Sequence, residues 1–252
     1  MKKNLLIIGL LLAMSLTASA QYQGFSFGFK LGPSFDWVGS KTQTADNLKT
    51  KVGFDLGVVA EYYFAENYAI VTGVNVDFLK GYYSFEDMRN ISVDTIADYQ
   101  LGTISRDFKT TVYEIPLMLK MVTPQLGNLP LRAYAQVGGA FGYTSQRVKV
   151  KDTFTLGDIN DADFRITEGE YNPFHASLRI GAGAEYALLE STRVFAGLYF
   201  SHDFLNSISR GGFGIFNENY RKYYNGDKTL GARDPELNVL QNRISLEFGI
   251  LF

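Results

Sequence analysis

Ile244-Ser-Leu-Glu-Phe-Gly-Ile-Leu-Phe252 alternates without a break: Ile244, Leu246, Phe248, Ile250 and Phe252 fall on one face of an extended strand, Ser245, Glu247 and Gly249 on the other. Side chains of a strand point to opposite faces with period two, so one face here is wholly apolar and ends on an aromatic ring. A strand half-buried in a soluble β core shares that pattern. What separates the two cases is whether the alternation recurs at membrane-crossing length, and how its repeats are joined.

The alternation recurs near residues 23–35, 51–64, 68–79, 110–122, 131–143, 174–188 and 192–202, and the closing strand starts at about Val239. These segments reach the length of about ten residues that a tilted strand needs to cross a bilayer. The second shows the rule well: Val52, Phe54, Leu56, Val58, Ala60, Tyr62 and Phe64 alternate with Gly53, Asp55, Gly57 and Glu61. Connections 36–50, 80–109, 144–173 and 203–238 are long and polar, whereas 65–67, 123–130 and 189–191 are short. Short turns on one side and long loops on the other are the two-sided layout of an outer-membrane barrel. The expected fold is therefore all-β: an eight-stranded antiparallel up-and-down transmembrane β-barrel with short periplasmic turns and long extracellular loops. Pro116, on the inner parity of the fourth strand, predicts a bulge or an unpaired N–H position. Two aromatic girdles are expected, Tyr62, Phe64, Tyr68, Tyr186 and Phe252 below and Phe35, Trp37, Phe78, Tyr143, Phe174 and Phe200 above.

Composition agrees. The 252 residues include 16 Tyr, 20 Phe and 25 Gly, and their charge is nearly balanced at -2. Without a basic stripe the chain offers nothing to nucleic acid. With no cysteine it has neither a disulfide framework nor a lipid-accepting thiol. Lys2 and Lys3, an apolar run from Leu5 to Leu16 and the small residues up to Ala20 form a secretory signal pattern. The run is too short to stay as a spanning helix. Residues 1–20 are expected to be a cleaved signal peptide and residues 21–252 a single outer-membrane barrel domain.

The inner parity carries Asp55, Glu61, Asp77, Glu114, Glu185 and Glu247 against Lys30, Lys120, Arg132, Arg179, Arg193 and Arg243. A barrel of about eight strands is only wide enough for its own side chains to fill. These charges are expected to pair as a salt-bridge lattice replacing a hydrophobic core, with a proton or ion path through it as the alternative.

The fourth strand reads Tyr113-Glu-Ile-Pro-Leu-Met-Leu-Lys120. That resembles the Y-x-E-I-P-L-x-L-K signature of PorT-like outer-membrane β-barrel proteins, with Glu114 placed directly after the tyrosine. The final strand is similar to the closing strand of Gram-negative barrels, in which assembly machinery reads the carboxyl-terminal aromatic, here Phe252. The resemblance implies a small single-domain barrel in contact with outer-membrane lipid, lipopolysaccharide and the barrel assembly machinery. The name-giving member is tied to envelope protein secretion.

Two histidines bear on catalysis. His175 and Ser177 share a face, and the pair resembles the His-x-Ser of lipid A deacylase barrels, but the nearest later acid, Glu190, lies in a turn at the opposite end. His202-Asp203 resembles one element of omptin-type proteases, which need further paired aspartates. Both histidines are expected to be ordinary rim residues bonded to loop backbone. Asp158, Asn160, Asp161 and Asp163, followed by Glu168 and Glu170, fail EF-hand spacing and are expected to form a solvated acidic loop that Arg147, Lys149, Lys151 and Arg165 neutralise. Glycines 211, 212 and 214 mark a flexible loop rather than a phosphate cradle. Tyr220, Tyr223 and Tyr224 beside Arg221 and Lys222 suit protein or glycan contact, or a fold over the barrel mouth. No metal or cofactor is implied. The expected role is a non-enzymatic anchor, scaffold or loop-presenting recognition barrel, with envelope secretion components or an extracellular ligand as partner. A lipid-modifying or proteolytic enzyme and a narrow small-solute transporter are the alternatives.

Overall fold

The computed structural model of the chain describes residues 24–40, 45–46, 49–90, 99–145, 149–156, 159–164, 172–189, 191–205 and 239–252. The expected signal peptide lies outside these residues, as do Arg147, Asp158, Arg165, Glu168, Glu170, Glu190, the glycine-rich stretch 211–214 and the tyrosine-rich stretch 220–224.

Eight long strands close into a barrel: β1 (Phe25–Ser40), β2 (Lys51–Ala65), β3 (Tyr68–Asn90), β4 (Tyr99–Val122), β5 (Leu131–Thr144), β6 (Phe174–Ala187), β7 (Arg193–Asp203) and β8 (Val239–Leu251). Each pairs antiparallel with its sequence neighbours, and β1 meets β8 to complete the ring. At that seam Phe29 faces Ile250 and Asp36 faces Arg243. The terminal residue belongs to the closure: Phe252 N–H donates to Phe27 O at 2.8 Å and Phe27 N–H donates to Phe252 O at 3.1 Å. A closed sheet leaves no exposed edge in lipid, where an unpaired peptide group is costly.

Outward parity is apolar around the ring, with Leu31, Leu56, Ile70, Leu117, Val137, Ile180, Leu198 and Phe248 all exposed. Exposed aromatics Tyr62, Phe64, Tyr68, Tyr186 and Phe252 lie at the short-turn end. Phe35, Phe78, Tyr143 and Phe174 lie at the long-loop end, where Trp37 stacks on Phe200 at 6.1 Å. Pro116 faces inward and still pairs with Ala140 of β5. On its other side the ladder lapses opposite Gly73 and Val74 and resumes at Asn75–Glu114 in unchanged register. The proline thus produces a gap in the ladder and no bulge, because only one donor is missing.

The long connection expected over 80–109 is corrected. β3 is 23 residues long and β4 is 24, and their pairing continues from Leu79–Thr110 to Asn90–Tyr99. The segment expected as loop 144–173 also contains strands, Lys149–Leu156 along β4 and Ile159–Phe164 beside it, and Ala45–Asp46 pairs with β3. A raised sheet therefore stands on one side of the barrel, with roughly 30 Å of strand beyond the lipid belt at about 3.3 Å per residue. The inward-polar, outward-apolar signal fails there for a physical reason. Beyond the membrane neither face meets lipid, so the alternation fades while the backbone ladder continues.

Candidate functional site

The barrel interior is stacked in layers. At the short-turn end, Lys120 Nζ sits 2.7 Å from both Glu61 Oε1 and Glu185 Oε2, and all three side chains are at most 3% exposed. Arg193 reaches Glu185 at 3.0 Å and Glu61 at 3.4 Å, and donates to Tyr63 Oη at 2.8 Å. One lysine and one arginine thus satisfy two carboxylates in a compact lattice, the condition under which buried ions are tolerated. Arg132 stands apart from it. Its place at the start of β5 puts it on the rim, where Nε donates to Thr123 O at 3.0 Å and Nη1 lies 3.8 Å from Glu185, so it ties turns together more than it fills the lumen.

Packed against this lattice is an apolar cluster that polar-inward alternation does not announce. Val59, Val71, Met118, Val122, Tyr134, Phe195, Tyr199 and Leu251 are buried against one another. Tyr134 and Tyr199 join hydroxyls at 3.1 Å. Gly183 and Gly197 make room for the Tyr134 hydroxyl, since a β-carbon at either position would collide with it. The cavity between Lys30, Glu61, Lys120, Tyr134, Tyr199 and Glu247 holds space for roughly one water molecule.

Next come Lys30, Arg179 and Glu247. Lys30 Nζ lies 3.1 Å from Glu247 Oε2, and Arg179 donates to the other oxygen of the same carboxylate. The guanidinium of Arg179 rests over the Tyr199 ring, 4.8 Å from its centroid, which couples the ionic layer to the apolar one.

The long-loop half is acidic. Arg243 is the hub, 2.8 Å from Asp77, 3.2 Å from Asp55 and 3.3 Å from Glu114. His175 Nε2 is 2.6 Å from Glu114 and its Nδ1 is 3.5 Å from Asp203. Asp36, fully buried, accepts the Lys80 N–H at 3.1 Å. Ser34, Asn75, Ser201 and Ser245 bury side-chain atoms that find no hydrogen bond among the described residues. Buried polar groups need partners, so this compartment is chemically suited to ordered water. Val38, Leu79, Tyr83 and Phe108 are buried above it, and the ring of Phe108 and Val38 occupy the space beside Gly81.

The candidate catalytic residues are rearranged. His175 is not a rim residue bonded to loop backbone; it is buried at 8% exposure and held between two carboxylates. Ser177 has a buried hydroxyl without a hydrogen bond among the described residues. His202 pairs with Asn242 at 2.5 Å, while Asp203 turns to His175. Neither candidate pair is hydrogen-bonded among the described residues. A single inward parity explains this: residues 175, 177 and 203 continue the lumen face of β6 and β7, whereas residue 202 does not. Asp36 and Asp203 were not among the expected lumen charges, because each lies one residue past the expected end of its strand. Extending the inner parity of β1 and β7 by one step finds both.

A closed antiparallel barrel with a lipid-facing apolar belt and a filled, ionic interior defines an outer-membrane β-barrel protein. Residues 19–210 match the family described as outer membrane protein beta-barrel domain, and the chain belongs to that family. Among solved structures it is similar to Ail, the attachment invasion locus protein of Yersinia pestis, with 15% identity and a TM-score of 0.36 over 92% of this chain and 100% of that one. It is also similar to Neisserial surface protein A, with 12% identity and a TM-score of 0.38 over 90% of this chain and 98% of that one. AlkL in lipid bilayers gives 14% identity and a TM-score of 0.37 over 93% of each chain. No curated protein matches the chain in sequence.

Proposed function

We propose that the protein is a non-enzymatic outer-membrane barrel that anchors and presents an extracellular β-sheet for recognition. The observation that carries this is a contrast within one pair of strands. Below Leu79 and Thr110, β3 and β4 enclose a lumen packed with charge pairs and tyrosines; above them the same two strands continue as a paired hairpin to Asn90 and Tyr99. Such a barrel spends its interior on stability and its exterior on display. The Tyr113–Lys120 motif supports a role as an accessory of envelope protein secretion within this reading, with a secretion component as the partner of the raised sheet. On this account residues 1–20 are removed on export and Phe252 serves barrel assembly.

Planar-bilayer recording of the purified protein tests the lumen. The expected result is no stable unitary conductance, and large stable openings would reject the reading in favour of a solute pathway. For chemistry, His175→Ala and His202→Ala together are expected to leave lipid A composition and peptide cleavage as in the wild type. A change matching that of a gene deletion would establish an enzyme instead.

A further inference from the structure

The geometry points to a second site outside the lumen: a lysine cluster on the outer wall, at the foot of the raised sheet, that binds the phosphate of an outer-leaflet lipid headgroup. Lys80 lies two residues beyond the exposed girdle residue Phe78 on the same face of β3, which puts it roughly 7 Å further along the strand. Its partner directly across the ladder on β4 is Lys109, itself exposed, with the lipid-facing Tyr113 below it on the same parity. Like charges placed opposite one another in an antiparallel pair destabilise it. Among the described residues no carboxylate pairs with either lysine. The nearby acid, Asp107, is already held by Lys51 at 2.5 Å. Lys49 and Lys51 bring two more ammonium groups over the Tyr82 ring, 4.6 and 5.5 Å from its centroid, and Tyr82 shares the face of Phe78 and Lys80.

Four lysines thus gather around the Tyr82–Asp107 rung of the ladder, and one of them, Lys51, is neutralised by a carboxylate there. Long lysine side chains lay their methylenes on apolar surface and put the charge at the polar boundary. A lipid phosphate at that height would relieve the Lys80–Lys109 repulsion while its acyl chains cover Phe54, Phe78 and Tyr113, all of which are exposed. The belt fixes the ligand as a lipid, since a soluble anion would use the lysines and leave the adjoining apolar wall unused.

Native mass spectrometry of the full-length barrel in detergent, titrated with phosphorylated lipid A and with its dephosphorylated form, tests the site. Wild type is expected to retain the phosphorylated lipid preferentially. The double variant Lys80→Gln, Lys109→Gln is expected to bind it about tenfold to thirtyfold more weakly, while Lys80→Arg, Lys109→Arg keeps the affinity. Both substitutions are on the outer wall, and heat-modifiability on gels verifies that each variant is folded. Equal binding of the two lipids, no loss in the glutamine variant, or equally tight binding of inorganic polyphosphate in the same detergent would each overturn the assignment.

Discussion

Replacing Lys120 by methionine is expected to cost about 3–5 kcal/mol of barrel stability, because it leaves two buried carboxylates to Arg193, with the partly exposed Arg132 reaching Glu185 only at 3.8 Å. The side chain being removed is 1% exposed, and its ammonium is shared between both carboxylates at 2.7 Å. Methionine fills nearly the same volume, so the loss reports the unpaired charge and not a cavity. The measurement is urea unfolding in lipid vesicles, followed by the fluorescence of Trp37, the one tryptophan of the chain. Adding Glu61→Gln returns the layer to one arginine and one glutamate, and the double variant is expected to recover more than half of the loss. A cost for Lys120→Met below about 1 kcal/mol, the range of a solvent-exposed pair, would mean that water reaches this layer and the lumen is not sealed.

This experiment also separates what sequence can carry from what it cannot. Lys120, Glu61, Glu185, Arg243 and Glu247 were visible because each is a charge on the polar parity of a strand whose other parity is lipid-facing. Their partners were not visible, since parity fixes a face and says nothing of height, and pairing across the lumen depends on both. Arg132 shows the cost of that blindness: it has the right parity and the wrong height. Val59, Phe195 and Leu251 illustrate the opposite failure. They are apolar residues on the inward face, which a rule contrasting lipid with lumen does not anticipate, and they supply apolar packing beneath Lys30 and Glu247.

The fold itself was legible because lipid imposes the strongest possible pattern on every spanning strand. The raised sheet was not, because its residues answer to water on both faces and to a ladder that any side chain can join. His175 falls between the two regimes. Its parity was read from the sequence, but its height, level with Glu114 and Asp203, came only with the register of β4 to β7. Two carboxylates engage both ring nitrogens, so the imidazole acts as a clasp joining β4, β6 and β7.

Cutting the hairpin back is expected to separate display from stability. Tyr83 and Arg106 are direct partners across β3 and β4, so replacing residues 84–105 with Asn-Gly closes the pair through a two-residue turn suited to a hairpin. Every lumen layer survives the change, as do Tyr83, Arg106 and Phe108 at the mouth. Heat-modifiability and the urea midpoint are therefore expected to stay close to wild type, while surface recognition is abolished. A photo-crosslinker at Ser145, which is bonded to the β4 backbone at the base of the raised sheet and kept in both proteins, provides the reading. Adducts formed in intact cells by the full-length chain are expected to vanish in the shortened one. Unchanged adducts would place recognition on other loops, and loss of the folded barrel would mean that the raised strands brace the cylinder below them. The second outcome is physically disfavoured, because the residues being removed contribute ladder bonds above the membrane and none of the ion pairs within it.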